Sequence, residues 1–426
     1  MPEVTHRETC RLCSATAFEL VLPILPSAIG DAFVSASELG QVQGTYPLDT
    51  YLCLECGHLQ NLDVIDPEIL FRNYTYRTAA SLGLVDHFRR YAESAVEGLG
   101  LAAGSLVVEM GSNDGSLLKA FQGRGMRVVG IDPARSIAER ATGDGVPTLP
   151  EFFGAPLAER MRREHGAAAL FCANNVFAHI DDMADVVGGI ARLLAPDGVF
   201  IFEVSYLPDM IDNMVYDTIY HEHVSHHALI PLETFFNRHG MALFDVERAP
   251  TKGGSIRGFA QLKPAGTRPR SQRLQDMLAE ETRRGITQPK IFRDFFQAIE
   301  QRKRTLLAQL DAAIAAGQSI AAYGASTTTT TLMYHLELGP RIAFIVDDNP
   351  IKQGTFSPGW HIPVLPSSEL YVRRPDLVII LSWIYRAPII ARHRQFLDEG
   401  GRFVVPLPTV ETISAASAGQ ESALRG

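Results

Sequence analysis

Two pairs of cysteines with the spacing Cys-x-x-Cys, Cys10/Cys13 and Cys53/Cys56, constrain the N-terminal part of this chain more than any other feature. Thirty-nine residues separate the pairs, which together hold four of the five cysteines in 426 residues. A two-residue spacer lets both sulfurs of a pair face one ion. Two pairs therefore close a tetrahedral four-thiolate site, and Zn2+ is the expected metal. Two disulfides are the alternative. The first residues carry neither the basic nor the apolar region of a signal peptide, so the expected setting is the reducing cytoplasm, which disfavours disulfides. His58 follows the second pair, but four thiolates already fill a tetrahedral site.

A metal knuckle is often a nucleic-acid reader, and here the charge argues against it. Residues 1–73 hold ten acidic residues, three arginines and no lysine, within a net charge of −9 for the whole chain. Phosphate binding needs a basic face, so no nucleic-acid partner is expected, and the module is structural or shapes a small-molecule site. No apolar run approaches the roughly 18 residues needed to cross a bilayer, so no membrane partner is expected either.

The length suggests two or three domains. After the cysteine region, residues 81–100 read as a helix with apolar spacing at Leu84, Phe88, Tyr91 and Ala95. Short buried strands are expected at 105–109, 127–132, 169–173 and 198–203, with helices between them. Such alternation implies a parallel sheet covered on both faces. Residues 268–315 are charged and helical, with Phe295, Ile299, Leu306, Leu310 and Ile314 at helical spacing. A second alternation begins at 319–323 and runs through 341–347, 376–381 and 402–405. The expected organisation is an α/β chain: a small zinc-binding domain (1–75), a central Rossmann-like domain (76–265), a helical connector with a second Rossmann-like domain (266–410), and a disordered tail rich in Ser, Ala and Gly (411–426).

Three motifs carry chemistry. Glu109-Met-Gly111-Ser-Asn113-Asp-Gly115 leaves a strand and enters a helix, with glycines that let backbone approach a ligand. Asp132 ends the next strand, where a carboxylate can grip ribose hydroxyls. The spacing differs from Gly-x-Gly-x-x-Gly, so a pyrophosphate is not expected; it resembles motif I of class I S-adenosylmethionine-dependent methyltransferases. The second motif, Asn174-Asn-Val-Phe-Ala-His179-Ile-Asp, follows a strand and places His179 where open α/β sheets bind ligands. The third, Tyr220-His221-Glu222-His223, is a dense set of proton-transfer groups without the His-Glu-x-x-His metal spacing. If the segment is extended, His221 and His223 share one face, and Tyr220 and Glu222 the other.

With Asn175–His179, Gly253-Gly-Ser-Ile-Arg257, Tyr323-Gly-Ala-Ser326 and Asp347-Asp-Asn-Pro-Ile-Lys-Gln-Gly354, the chain resembles, over nearly its whole length, the nucleotide-sugar C-methyltransferases of deoxysugar biosynthesis. That resemblance implies a class I methyltransferase domain between a zinc-binding domain and a C-terminal Rossmann-like domain. It implies methylation of a ring carbon, typically C3, of a dTDP-linked 4-keto-deoxysugar through an enolate. S-adenosylmethionine would be held by Glu109, Gly111, Asn113, Gly115, Asp132 and Asn174. His223 would be the base, with Tyr220, Glu222 and His179 orienting it or stabilising the enolate, and Tyr74 or Tyr76 facing the site. Two departures stand out: His226-His227 where relatives carry an aromatic pair, and Thr327–Thr331 where the C-terminal turn usually continues Lys-Gly. Threonine hydroxyls at a helix start can still bind phosphate. The sugar and its nucleotide stay open, a GDP-sugar included, as do oxygen or nitrogen acceptors, a pure binding role and the oligomeric state, a monomer included.

Overall fold

The computed structural model describes residues 4–72 and 83–417; Tyr74 and Tyr76 lie outside them. The central domain is a seven-stranded sheet in the order Met241–Ala249, Ser255–Leu262, Leu194–Ser205, Ala168–Asn174, Leu106–Met110, Arg127–Ile131, Thr148–Leu149. Numbered along the chain within the sheet, that order is 6-7-5-4-1-2-3. The five strands from Leu194–Ser205 to Thr148–Leu149 run parallel, and Ser255–Leu262 is antiparallel to both of its neighbours. Residues 106–110 are buried at every position, as expected for a strand covered on both faces. The chain leaves the first and fourth strands in opposite directions across the sheet, so a crevice opens between the ends of Leu106–Met110 and Ala168–Asn174.

The C-terminal domain has a six-stranded sheet, Val364–Pro366, Ile345–Asp347, Ile320–Tyr323, Leu377–Ile380, Arg402–Val405 and Glu411–Ile413, parallel except for the last strand. Glu411–Ile413 falls within the segment expected to be a tail. Its pairing with Phe403–Val405 makes residues 411–413 the sixth strand. The connector is the helices Gln272–Arg284 and Pro289–Ala315. In the second, Phe295, Ile299, Leu306 and Leu310 are buried as the spacing suggests. Ile314 is exposed, and Ala313 takes the inward position.

The N-terminal domain pairs Phe18–Leu22, Thr50–Cys53 and Leu59–Asn61 in an antiparallel sheet. Its fourth strand comes from the central domain: Ser225–His226, two residues beyond His223, pairs with Leu59–Gln60. Val21, Leu22, Leu52 and Leu59 share one core with the C-terminal domain, whereas Cys10, Leu12 and Cys53 pack into the core of the central domain. The cysteine module is therefore wedged between the other two domains.

Candidate active site

Four thiols meet at the foot of the N-terminal sheet. The Sγ atoms of Cys10, Cys13, Cys53 and Cys56 all lie within 4.8 Å of one another, with Cys10–Cys56 at 3.7 Å and Cys13–Cys53 at 3.5 Å. Tetrahedral Zn–S bonds of about 2.3 Å put sulfurs about 3.8 Å apart, so the cluster fits Zn2+. Gln60 Nε2 donates to Cys10 Sγ at 3.2 Å, and its carbonyl accepts from the buried Arg11. His58 is not part of this cluster: its Nε2 lies 3.1 Å from Ser225 Oγ, so it serves the interface between domains.

A cavity of about 500 Å³ opens at the crevice of the central sheet, within the size range of small-molecule sites. Gly111, Ser112 and Asn113 line one side of it, in a turn bent by positive φ at Gly111 (68°) and Asn113 (48°). A Cβ on Gly111 would stand 2.2 Å from Val176 Cγ1, so the turn can hug the crevice only with glycine there. Gly115 (φ 75°) closes the turn against Val146 and is not at the cavity wall. Asp132 accepts the backbone N–H of Asn113 and of Ala134, each at 2.9 Å. Across the crevice, Asn174 Nδ2 donates to Glu109 Oε1 at 3.3 Å.

Three buried acceptor atoms here have no partner among the described residues: Glu109 Oε2, Asn174 Oδ1 and Ser112 Oγ. Burial pushes the Glu109 carboxyl up to about 8. Unpaired buried acceptors are costly, so this wall is matched to a ligand that brings donors and positive charge. S-adenosylmethionine, with its ammonium, sulfonium and ribose hydroxyls, has that chemistry, and Glu109, Asn174, Asp132 and the 111–113 turn are the residues that would hold it. A titration follows. Below pH 8 Glu109 is protonated in the free protein, and a cationic ligand favours its ionised form. Binding at pH 7 should therefore release a proton from this group, and affinity should rise with pH until about 8. Calorimetry in buffers of different ionisation enthalpy checks this; Glu109→Gln should remove the proton release.

The opposite wall carries Tyr220 and His179. Residues 220–223 form a turn, with His223 N–H donating to Tyr220 O at 2.8 Å. The alternation expected of an extended segment does not hold, because the turn brings residues i and i+3 together. Tyr220 Oη and His223 Nε2 are 2.9 Å apart, and His223 Nδ1 is 2.7 Å from Thr218 O. A carbonyl only accepts, so Nδ1 carries the proton and Nε2 accepts from the tyrosine hydroxyl. His223 is thus one residue behind the wall, kept neutral by burial, which holds its pKa well below the usual histidine range. His179 stacks between Phe71 (5.5 Å) and His223 (5.0 Å), and its Nε2 has no partner among the described residues. Burial lowers its pKa to about 3. His221 turns away to Tyr46 O at 3.3 Å. Glu222 is buried off the cavity wall, pushed up to about 8 by burial and by Asp31.

Both outer domains grip this turn. Asn61 N–H donates to Val224 O at 3.1 Å, and His226 Nε2 lies 3.1 Å from Asn61 Oδ1. From the C-terminal domain, Trp383 Nε1 donates to Asp217 Oδ2 at 3.0 Å and Thr331 Oγ1 to Ile219 O at 2.8 Å. The two departures are explained in this way. His226 and His227 are structural, His227 stacking on His58 and Phe177. Thr330 and Thr331 are buried with hydroxyls committed to Gly30 O and Ile219 O, which removes both from any phosphate role. Lys252 also lines the cavity and was not singled out by sequence, although it directly precedes the Gly253–Arg257 motif.

A 6-7-5-4-1-2-3 sheet, with an acceptor-lined crevice at its switch point and no phosphate-binding turn, defines a class I methyltransferase. Family models match in three consecutive parts: "Putative zinc binding domain" at 10–71, "Methyltransferase domain" at 85–245 and "C-methyltransferase C-terminal domain" at 250–408. The C-methyltransferase NovU of Streptomyces niveus is 36% identical over 416 residues, covering 96% of this chain and 98% of NovU. The chain belongs to this family of zinc-containing, S-adenosylmethionine-dependent C-methyltransferases. Among solved structures, magnesium protoporphyrin IX methyltransferase ChlM of Synechocystis (16% identity, TM-score 0.31, 42% of this chain and 80% of ChlM) is similar. So is the CcbJ methyltransferase of Streptomyces caelestis (12%, TM-score 0.34, 46% and 96%). No helix among the described residues is long and apolar enough to cross a membrane.

Proposed function

We propose that this enzyme methylates the carbon next to the ketone, C3 by resemblance, of a nucleotide-linked 4-keto-deoxysugar, by way of an enolate. The observation that carries the reading is the Tyr220–His223 pair: a phenol at the cavity wall hydrogen-bonded to a neutral, buried imidazole. A C–H carbon is no nucleophile until it is deprotonated, whereas a hydroxyl or amine acceptor needs less help. Tyr220 can take the α proton as it passes its own to His223 Nε2. The Thr218 carbonyl stabilises the resulting imidazolium through Nδ1–H. Charging a buried histidine is unfavourable alone and is offset by the enolate formed beside it. His179 hydrogen-bonds the sugar in this reading, which its neutral ring and an Nε2 without a partner among the described residues support. Bound S-adenosylmethionine supplies an electrophilic methyl group from the Glu109–Asn174 side of the same cavity. Glu109, Asn113, Asp132 and Asn174 orient it, and Gly111 allows the approach.

The test is proton exchange. With S-adenosylhomocysteine in place of the cofactor, the enzyme should wash the C3 proton of a dTDP- or GDP-linked 4-ketosugar into D2O, followed by NMR. Methylation without any such exchange, or a methyl group found on another ring position, overturns the reading.

A further inference from the structure

The enolate reading leaves one charge unanswered. Eight acidic side chains line the cavity, Glu109 and Asp132 among them, and the only cationic side chain on its wall among the described residues is Lys252. An oxyanion forming in an acid-lined, partly desolvated space is strongly disfavoured unless a cation faces it.

Lys252 is held there by an unusual backbone. It sits in the tight turn Thr251–Gly253 that joins the edge strand Met241–Ala249 to its antiparallel neighbour Ser255–Leu262, at φ 53° and ψ 33°, a left-handed conformation that residues with a side chain rarely adopt. The turn is fixed from several sides. Thr251 Oγ1 donates to Glu203 Oε1 at 3.1 Å, Ser255 Oγ to Thr251 O at 3.0 Å, and Asn213 Nδ2 to Gly253 O at 2.9 Å. Glu203 is itself buried and paired with Arg257 at 2.7 Å. A Cβ on Gly254 would stand 2.4 Å from Asp209 Cβ, so the loop is wedged against the 207–212 helix. Strained backbone that its surroundings over-determine is a mark of functional sites. The ammonium makes no hydrogen bond or ion pair among the described residues. Its surface is open to the cavity, yet protein surrounds it closely enough for lost solvation to lower its pKa, with Glu203 and Glu222 opposing that loss. The histidines nearest it, His179 and His223, are neutral and do not compete as cations.

We propose that Lys252 is a catalytic residue: its ammonium donates to the ketone oxygen of the sugar and holds the negative charge that builds there. The inference rests on the enolate reading. As the α C–H bond breaks, its proton goes through Tyr220 to His223 and its electron pair becomes a C=C bond. The carbonyl π pair moves onto oxygen, opposite Lys252. When the carbonyl re-forms, the C=C pair makes the bond to the methyl carbon of S-adenosylmethionine, and the C–S pair stays on sulfur.

The test uses full-length, zinc-loaded enzyme carrying Lys252→Met, Lys252→Arg or Lys252→Gly, in the D2O exchange assay with S-adenosylhomocysteine and a 4-keto nucleotide sugar. Lys252→Met should slow exchange by about 10²-fold or more while cofactor affinity by calorimetry stays within about threefold. Lys252→Arg should restore part of the rate. Lys252→Gly is the discriminating variant, because glycine suits the positive φ: Tm should rise while exchange is lost, whereas a merely structural lysine would leave exchange intact. Exchange within threefold of wild type in Lys252→Gly overturns the proposal alone. A wild-type enzyme that methylates without exchanging any proton overturns the enolate reading and this role with it.

Discussion

Tyr220→Phe is expected to lower kcat by between about 10² and 10⁴-fold, the usual worth of a positioned acid–base group. The phenol stands between the cavity and the imidazole, and Phe keeps the ring while removing the hydroxyl that hydrogen-bonds His223 Nε2. Ring packing on His223, at 4.1 Å between centroids, is retained. Stability should therefore change little. The cofactor wall at Glu109 and Asn174 is untouched, so the cofactor dissociation constant should stay within about threefold. His223→Gln should show a loss of similar size, because the pair acts as a unit, and the double variant should be little worse than either single. Initial rates at saturating substrate, with calorimetry for the cofactor, check this. Multiplicative losses would place the two residues in separate steps. Both histidines at the site stay neutral through the physiological range, so kcat/KM for the cofactor should fall toward acid with Glu109 near pH 8 rather than with a histidine near 6.5, while kcat at saturating cofactor should not show that fall.

Removing zinc is expected to abolish methyl transfer while leaving the cofactor crevice formed. The thiols lie far from the crevice in sequence but close to the 220–223 turn in connectivity. Cys53 ends the strand that pairs with Leu59–Asn61, and that strand in turn pairs with Ser225–His226, just after His223. Arg11 and Gln60 tie Cys10 into the same sheet. Structural zinc in small modules contributes on the order of 10 kcal/mol, far more than a three- or four-residue strand can supply for itself. Cys53→Ser, or chelation, should therefore release the turn at 217–226. Hydrogen exchange should show lost protection at 50–61 and 223–227, and retained protection in Leu106–Met110 and Arg127–Ile131. Cofactor binding should persist and turnover fall by more than about 10²-fold. Loss of protection throughout the central sheet would instead make the metal a global stabiliser.

Much of this was legible in one chain. The paired Cys-x-x-Cys spacing, the Glu109–Gly115 turn and the alternation of buried strands with helices are local patterns. Spacing alone fixes which atoms converge in a knuckle, and a strand buried on both faces reads as a near-continuous apolar run, which Glu109 interrupts near its end. The strand Glu411–Ile413 is not legible locally, because three residues carry no periodic pattern and a partner strand, Phe403–Val405, is what pairs them. His226-His227 and the threonine run looked like changes in ligand chemistry. They are interface residues, and only the neighbouring domains reveal that.

What the amino-acid sequence determined by itself was the four-cysteine zinc module, the two Rossmann-like sheets, the acid-bearing turn at 109–115 and the Tyr220–His223 cluster of proton-transfer groups. Tertiary structure decided which members of that cluster face the cavity. Tyr220 reaches it and His223 backs it because a turn, pinned by strands and side chains from both outer domains, overrides the alternation that a free extended segment would follow. Lys252 enters the site for the same kind of reason: its aim depends on a left-handed backbone held by contacts from Glu203, Asn213 and Asp209, none of which is near it in sequence.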